Sequence, residues 1–444
     1  MKKVLCSLIT STLTAGSLIA TPQAIIPEQS FGQSAHSEIV KDAIDILEKR
    51  FNATIQMQSV VQLSEPQRRN LLLRIYLQSP HTQVPRSVIL KQTLSQDSSK
   101  QEDDQIVGRF ARDWAGLEFL SSLEVEHPIT PQFYGGSTYH RFILIEDLGE
   151  NHVSLVDSLT GGNKDVAKEA LSRFVKCLGQ LHANGYGKTE TYFKILKKIR
   201  PQAESQEEKY HITLDKTFPR LESLLDQLHV TLSEGTRSEI AEVFKANLTP
   251  GPFTTLIHGD ICPDNLFDDQ EINELRLIDF EWGFVKSALL DGTYLRMSFP
   301  TCWCAKRIPD ELLPSLEETY RQELIKTIPA AADDAEYNNA YAQACAFWML
   351  KSVLFIEDVL EQEENWPSGD IPPESLWKPE ANLLRPRVLS RLHAFINVAK
   401  QHQKLPQLVA MAEYILRELH TRWPDSRPLD VYPAFNENSE LETI

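Results

Sequence analysis

Leu256-Ile257-His258-Gly259-Asp260-Ile261-Cys262-Pro263-Asp264-Asn265, followed after a short gap by Leu277-Ile278-Asp279-Phe280-Glu281, is the stretch on which the reading of this chain turns. The apolar run before His258 reads as a strand, and Pro263 stops it by fixing one backbone dihedral. Leu266-Phe267, the polar stretch 268–274 and Leu275-Arg276-Leu277-Ile278 read as strand, turn, strand. A hairpin of that kind brings Asp279 back beside Asn265. An Asp, then an Asn, then a second Asp behind an apolar strand suit phosphoryl transfer from a magnesium nucleotide. One carboxylate accepts the proton of an attacking hydroxyl, while the Asn and the later Asp hold the metal that bridges the phosphates. A single acid at a strand end is ordinary in an acidic chain, so the spacing carries the argument.

His-Gly-Asp, four intervening residues, Asn, a hairpin and Ile-Asp-Phe-Glu resemble the paired motifs of the aminoglycoside phosphotransferase and choline kinase group, whose fold is protein-kinase-like. The resemblance implies an α+β, two-lobe architecture with a small antiparallel-sheet N-lobe and a larger, mostly helical C-lobe. It implies Asp260 as the catalytic base, Asn265 and Asp279 as Mg2+ ligands, ATP as co-substrate and His258 as a prop for the loop. Members of the group often have His where this chain has Cys262 and Gly where it has Asp264. Those departures leave the base untouched and bear on the substrate class.

A kinase-like fold also calls for a Lys on a strand far upstream and an acid on the following helix to pair with it. Ser87-Val88-Ile89-Leu90-Lys91-Gln92 meets the first requirement, as a β-branched apolar strand with one cation. In the helix expected over 105–123, Ile106, Phe110, Leu117 and Leu120 recur at helical spacing, and Asp113 falls inside that stripe. A carboxylate on a core face needs a partner, and Lys91 is the natural one. The group's pattern, an acid followed by Leu at the fourth and seventh positions, selects Asp113 too, although the usual residue there is Glu. Glu118 is the rival partner, rotated off the stripe. Phe142-Ile143-Leu144-Ile145-Glu146-Asp147-Leu148-Gly149 resembles the interlobe hinge where backbone groups read adenine, which makes Glu146 and Leu148 nucleotide-binding positions. No glycine-rich loop precedes Lys91. Ser64-Glu65-Pro66-Gln67-Arg68-Arg69, between the expected strands 59–63 and 70–77, holds no Gly, which argues against a protein kinase.

The chain has 444 residues, 42% hydrophobic and 24% charged, enough for two lobes. A net charge of -17 disfavours nucleic acid or an anionic membrane as partner, and a cationic or neutral hydroxyl compound suits it better. Six cysteines are too few and too irregular for a disulfide framework. Cys302-Trp303-Cys304 lacks a second pair at zinc spacing, so its thiols read as small buried hydrophobes. Met1-Lys2-Lys3 and the apolar run 4–20 resemble a secretory signal peptide, too short for a stable membrane span. Nucleotide-dependent catalysis points instead to the cytoplasm.

Residues 1–24 thus form a signal-like segment, 25–53 a linker and short helix (38–51), 54–148 the nucleotide-binding N-lobe, 149–425 the C-lobe and 426–444 a tail. Segments 166–183, 218–232, 237–248, 309–327, 331–361 and 386–423 have helical spacing. His182, in a helix ending Leu181-His182, reads as a packing residue. Asp291 reads as a helix cap with a supporting place beneath the catalytic loop. Trp282, Trp303 and Trp348 fit core packing better than a cage for a quaternary ammonium. The leading reading is a small-molecule kinase with a hydroxyl acceptor. A kinase-like scaffold, and an exported binding protein resting on the N-terminal segment alone, are the other two.

Overall fold

Period-two alternation organises the first part of the chain, because successive strand side chains point to opposite faces. The computed structural model describes residues 33–65, 69–94, 100–201, 206–363 and 382–436. The signal-like segment, the start of the linker and the last eight residues lie outside them. Five strands, β1 (Gln56–Gln62), β2 (Asn70–Gln78), β3 (Ser87–Thr93), β4 (Phe133–Ser137) and β5 (Phe142–Glu146), form an antiparallel sheet in the order β1-β2-β3-β5-β4. Helix α1 (Gln33–Phe51) is longer than the sequence pattern suggests. It lays Ile39, Val40, Ala43 and Leu47 over Leu71, Leu73, Ile75, Leu77, Val88 and Leu90 on one face of the sheet. Residues in the other alternation phase, Ile89 of β3 and Ile143 and Ile145 of β5, join a larger core with Phe110, Leu117 and Leu120 of α2 (Lys100–Ser121). Lys91, opposite Ile143 in the β3–β5 register, shares the phase of Ile89 and so points the same way.

The rest is mostly helical. Helices α3 (Leu155–Thr160), α4 (Lys164–Gly185), α5 (Thr189–Ile199), α6 (Gln206–Gln227) and α7 (Glu234–Leu248) precede four short strands. Of these, β6 (Thr254–Ile257) pairs with β9 (Phe284–Ser287), and β7 (Leu266–Asp269) pairs with β8 (Glu274–Leu277) as the expected hairpin. Then come α8 (Leu289–Gly292), α9 (Leu313–Ile325), α10 (Asp334–Val353), α11 (Ile356–Val359), α12 (Leu384–His402) and α13 (Pro406–Arg422). The architecture is the expected α+β one, a small antiparallel sheet followed by a larger helical part.

Three elements differ from the sequence pattern. The helix expected over 386–423 is two, broken where Gln403 and Leu405 take positive φ of 54° and 51° just ahead of Pro406. Proline cannot continue a helix and pushes its predecessor out of the helical region. The segment expected over 331–361 divides into α10 and α11. In the segment expected as a tail, residues up to 436 dock: Tyr432 is fully buried and its hydroxyl donates to the Cys304 carbonyl at 2.6 Å. No helix among the described residues is long and apolar enough to cross a membrane.

Candidate active site

β6 delivers the chain to His258 and Gly259, whose backbone amides donate to the buried carboxylate of Asp291 at 2.7 and 3.2 Å. Asp291 lies within the single turn of α8 rather than capping it. Its Oδ2 also stands 3.4 Å from His182 Nε2, and His182 Nδ1 is 2.8 Å from the Tyr320 hydroxyl. This buried polar chain props the loop from beneath, and His182 has the packing place expected of it. Gly259 has φ of 78°, and a Cβ there would stand 2.2 Å from the Trp282 carbonyl oxygen, so only glycine fits. His258 Nε2 meets the Ile278 carbonyl at 2.8 Å, which requires the proton on that nitrogen. Burial holds the His258 pKa down, so the ring is a neutral strut between the end of β6 and the end of β8.

The β7–β8 pairing of Leu266 with Leu277 returns the chain beside its start, and the Ile278 amide donates to the Asn265 carbonyl at 3.1 Å. Asn265 Nδ2 donates to the Asp260 carbonyl at 2.9 Å. Its Oδ1 is buried and has no hydrogen-bond partner among the described residues. Asp279, in the left-handed region at φ 69°, presents Oδ1 to Lys91 Nζ at 2.8 Å. An unpartnered amide oxygen beside a carboxylate is a hard, oxygen-only donor set of the kind magnesium takes, so these two residues fit that ion.

Lys91 is shared. Its ammonium lies 2.8 Å from both Asp113 and Asp279, and Asp113 Oδ1 accepts from the Phe280 amide at 2.8 Å. Glu118 is engaged elsewhere, accepting from Trp114 Nε1 at 2.5 Å. Burial works against the Lys91 charge, but Asp113, Asp279 and Glu281 outweigh it and hold the pKa above the usual lysine value. Lys91, Asp113 and Asp279 therefore form one ion-paired set, and Asn265, bonded to the Asp260 carbonyl, is joined to it by the backbone bond from Ile278, the residue before Asp279. Glu146 and Leu148 stand apart from it at the end of β5. The Glu146 side chain accepts from the Gln132 amide at 3.1 Å. The strand end is braced by neighbouring Asp147, which takes Arg74 at 2.8 Å and Ser87 at 2.7 Å.

Asp260 is buried, 3% exposed. Burial raises its pKa; the Thr301 hydrogen bond pulls it back, and Asp264, Asp279 and Glu281 push it up again. Thr301 Oγ1 donates to Asp260 Oδ1 at 2.5 Å, and no hydrogen bond among the described residues reaches Oδ2. Glu281 is buried. Arg69 approaches it at 3.2 Å, and burial, with Asp279 nearby, raises its pKa to about 7.

Cys262 and Cys302 are joined in a disulfide, Cα to Cα 5.4 Å, where the spacing of six cysteines suggests no such framework. One cross-link between two loops leaves no periodic trace in sequence. Among the described residues, the cluster Asp260, Cys262 and Cys302 has the proximity of a metal site, but its two sulfurs are bonded to each other. Cys304 is a buried free thiol. Trp303 Nε1 donates to Asp264 at 2.8 Å, and burial lifts the Asp264 carboxyl to about 7. The three tryptophans make no common cage. Trp282 is stacked by Arg109 at 4.8 Å, and Trp348 donates to the Leu290 carbonyl at 2.8 Å. Thr301, Arg69 and the disulfide carry no motif, and nothing in the sequence pattern singles them out.

No curated protein sequence matches the chain. Among solved structures, the choline kinase of Cryptosporidium parvum Iowa II is 11% identical, with a TM-score of 0.41 over 86% of this chain and 99% of that one. The ethanolamine kinase of Plasmodium vivax is 13% identical, with a TM-score of 0.37 over 80% and 85%. An amicoumacin kinase bound to AMP-PNP and Ca2+ is 15% identical, with a TM-score of 0.38 over 82% and 96%. Over residues 116–331 the chain matches the model of the ecdysteroid kinase-like family.

Proposed function

We propose that the protein is an ATP-dependent phosphotransferase that moves the γ-phosphate of magnesium ATP to a hydroxyl of a small molecule. The observation that carries the reading is the ion-paired set of Lys91, Asp113 and Asp279, with Asn265 bonded to the Asp260 carbonyl and, through Ile278, to the chain entering Asp279. The match to a kinase-like family model supports it independently. Asp260 takes the acceptor's proton as the new oxygen–phosphorus bond forms. The bond from the γ-phosphorus to its bridging oxygen breaks, and ADP leaves with the electron pair. Asn265 and Asp279 would hold Mg2+, which when bound would supply positive charge to neutralise the phosphates. Lys91, fixed by Asp113, directs its ammonium to the phosphate oxygens. Glu146 and Leu148 belong in this reading to the hinge, through their backbone groups. The acidic chain favours a cationic or neutral alcohol as acceptor.

The test is ADP release from magnesium ATP by wild type, Asp260→Asn and Asp279→Ala, first without acceptor and then across a panel of hydroxyl compounds. Losses of about a hundredfold or more are expected in both variants, the scale of general-base and metal-site deletions. Turnover unchanged in both would remove the mechanism.

A further inference from the structure

The segment that follows α8 reaches the base directly. After Met297 the chain turns through consecutive positive φ values at Ser298, 56°, and Phe299, 47°. For a bulky residue such as Phe299 this is a genuine departure from ordinary backbone, held only where the surroundings over-determine it. The turn sets Thr301 against Asp260, Oγ1 to Oδ1 at 2.5 Å. Its placement is secured from several sides. The next residue, Cys302, is bonded to Cys262, two residues past the base. The Cys302 carbonyl accepts from the buried Arg387 at 2.5 Å, and the Tyr294 hydroxyl stands 3.1 Å both from Thr301 Oγ1 and from the Gly259 carbonyl. A hydroxyl gripped in this way cannot follow the carboxylate if it rotates, so the carboxylate is fixed instead.

We infer that Thr301 is a positioning residue of the phosphotransfer: donating its hydrogen to Asp260 Oδ1, it fixes the carboxylate so that Oδ2 faces the acceptor hydroxyl. The inference rests on the phosphotransferase reading of Asp260. Oδ2 suits the role because no described residue bonds to it. A base must sit within hydrogen-bond reach of the proton it removes, and misplacement by an ångström is costly in rate. The effect therefore falls on turnover and not on nucleotide affinity, since Thr301 has no bond to Lys91, Asn265 or Asp279.

The full chain is assayed for ADP release from magnesium ATP with water as acceptor, as wild type, Asp260→Asn, Thr301→Val and Thr301→Ser. Thr301→Val removes the hydroxyl at nearly constant shape and is expected to lower kcat about tenfold or more while KM for ATP stays within about twofold. Thr301→Ser keeps the hydroxyl, loses only a methyl, and is expected to restore most of kcat. Wild-type kcat in Thr301→Val, or a loss equally large in Thr301→Ser, overturns the inference and leaves the reading of Asp260 standing. Equal turnover by wild type and Asp260→Asn overturns that reading and this inference together.

Discussion

Lys91 is held by two buried carboxylates at once, an arrangement that is stable only while the cation is there. Replacing it with Met keeps much of the shape but leaves Asp113 and Asp279 facing one another without their shared partner. Breaking a buried pair from one side costs roughly 3–5 kcal/mol. Lys91→Met is expected to lose that much in urea unfolding, and a loss below about 1 kcal/mol would show the three groups to be independently solvated. This cluster was legible in the sequence because each member carried a pattern. Lys91 lay on an alternating strand, Asp113 on a helical stripe, and Asn265 and Asp279 at fixed offsets from Asp260. Thr301 and Arg69 were not legible. Each reaches the site from a loop, where no periodicity says which way a side chain points, and their partners lie 41 and 212 residues away in sequence.

Elements were read best where hydrophobic period and boundary signals agreed, as in the β7–β8 hairpin, and worst where period continued across a break. α12 and α13 share helical spacing on both sides of 403–405, so the pattern alone joins them, although Pro406 is the local signal that they part. Gln403 closes α12 in the left-handed conformation at φ 54°, with its amide turned back to the Ala399 and Lys400 carbonyls. Glycine takes that conformation without penalty. Gln403→Gly, at an exposed side chain, is expected to stabilise by about 1 kcal/mol and raise the thermal midpoint by about 1–2 °C. A lower midpoint would mean that the Gln side chain holds the junction. The same local view explains why β9 escaped the sequence reading: it is four residues long and is defined by its pairing with distant β6.

For the whole molecule, the two-part architecture followed from the change of period near residue 149, strand-like before it and helical after it. What joins the parts was less visible. Lys91 of the sheet meets Asp279 of the hairpin, and Arg69 at the start of β2 meets Glu281. These contacts make the sheet and the β7–β8 hairpin share one electrostatic site, so a ligand seated there stabilises the entire fold by mass action. Magnesium ATP at about a hundred times its Kd is expected to add about 2.7 kcal/mol, and chelating the metal is expected to abolish the gain. Thermal unfolding with nucleotide, with and without EDTA, checks this, and an EDTA-insensitive gain would contradict a metal held by Asn265 and Asp279.

In the proposed reaction Asp260 and Asp279 act together in moving a phosphate from magnesium ATP. The most direct measurement is ADP release by wild type beside Asp260→Asn and Asp279→Ala at saturating magnesium. Turnover in the wild type and a loss of about a hundredfold or more in each variant are expected; equal turnover in all three would rule out a joint role for these two carboxylates.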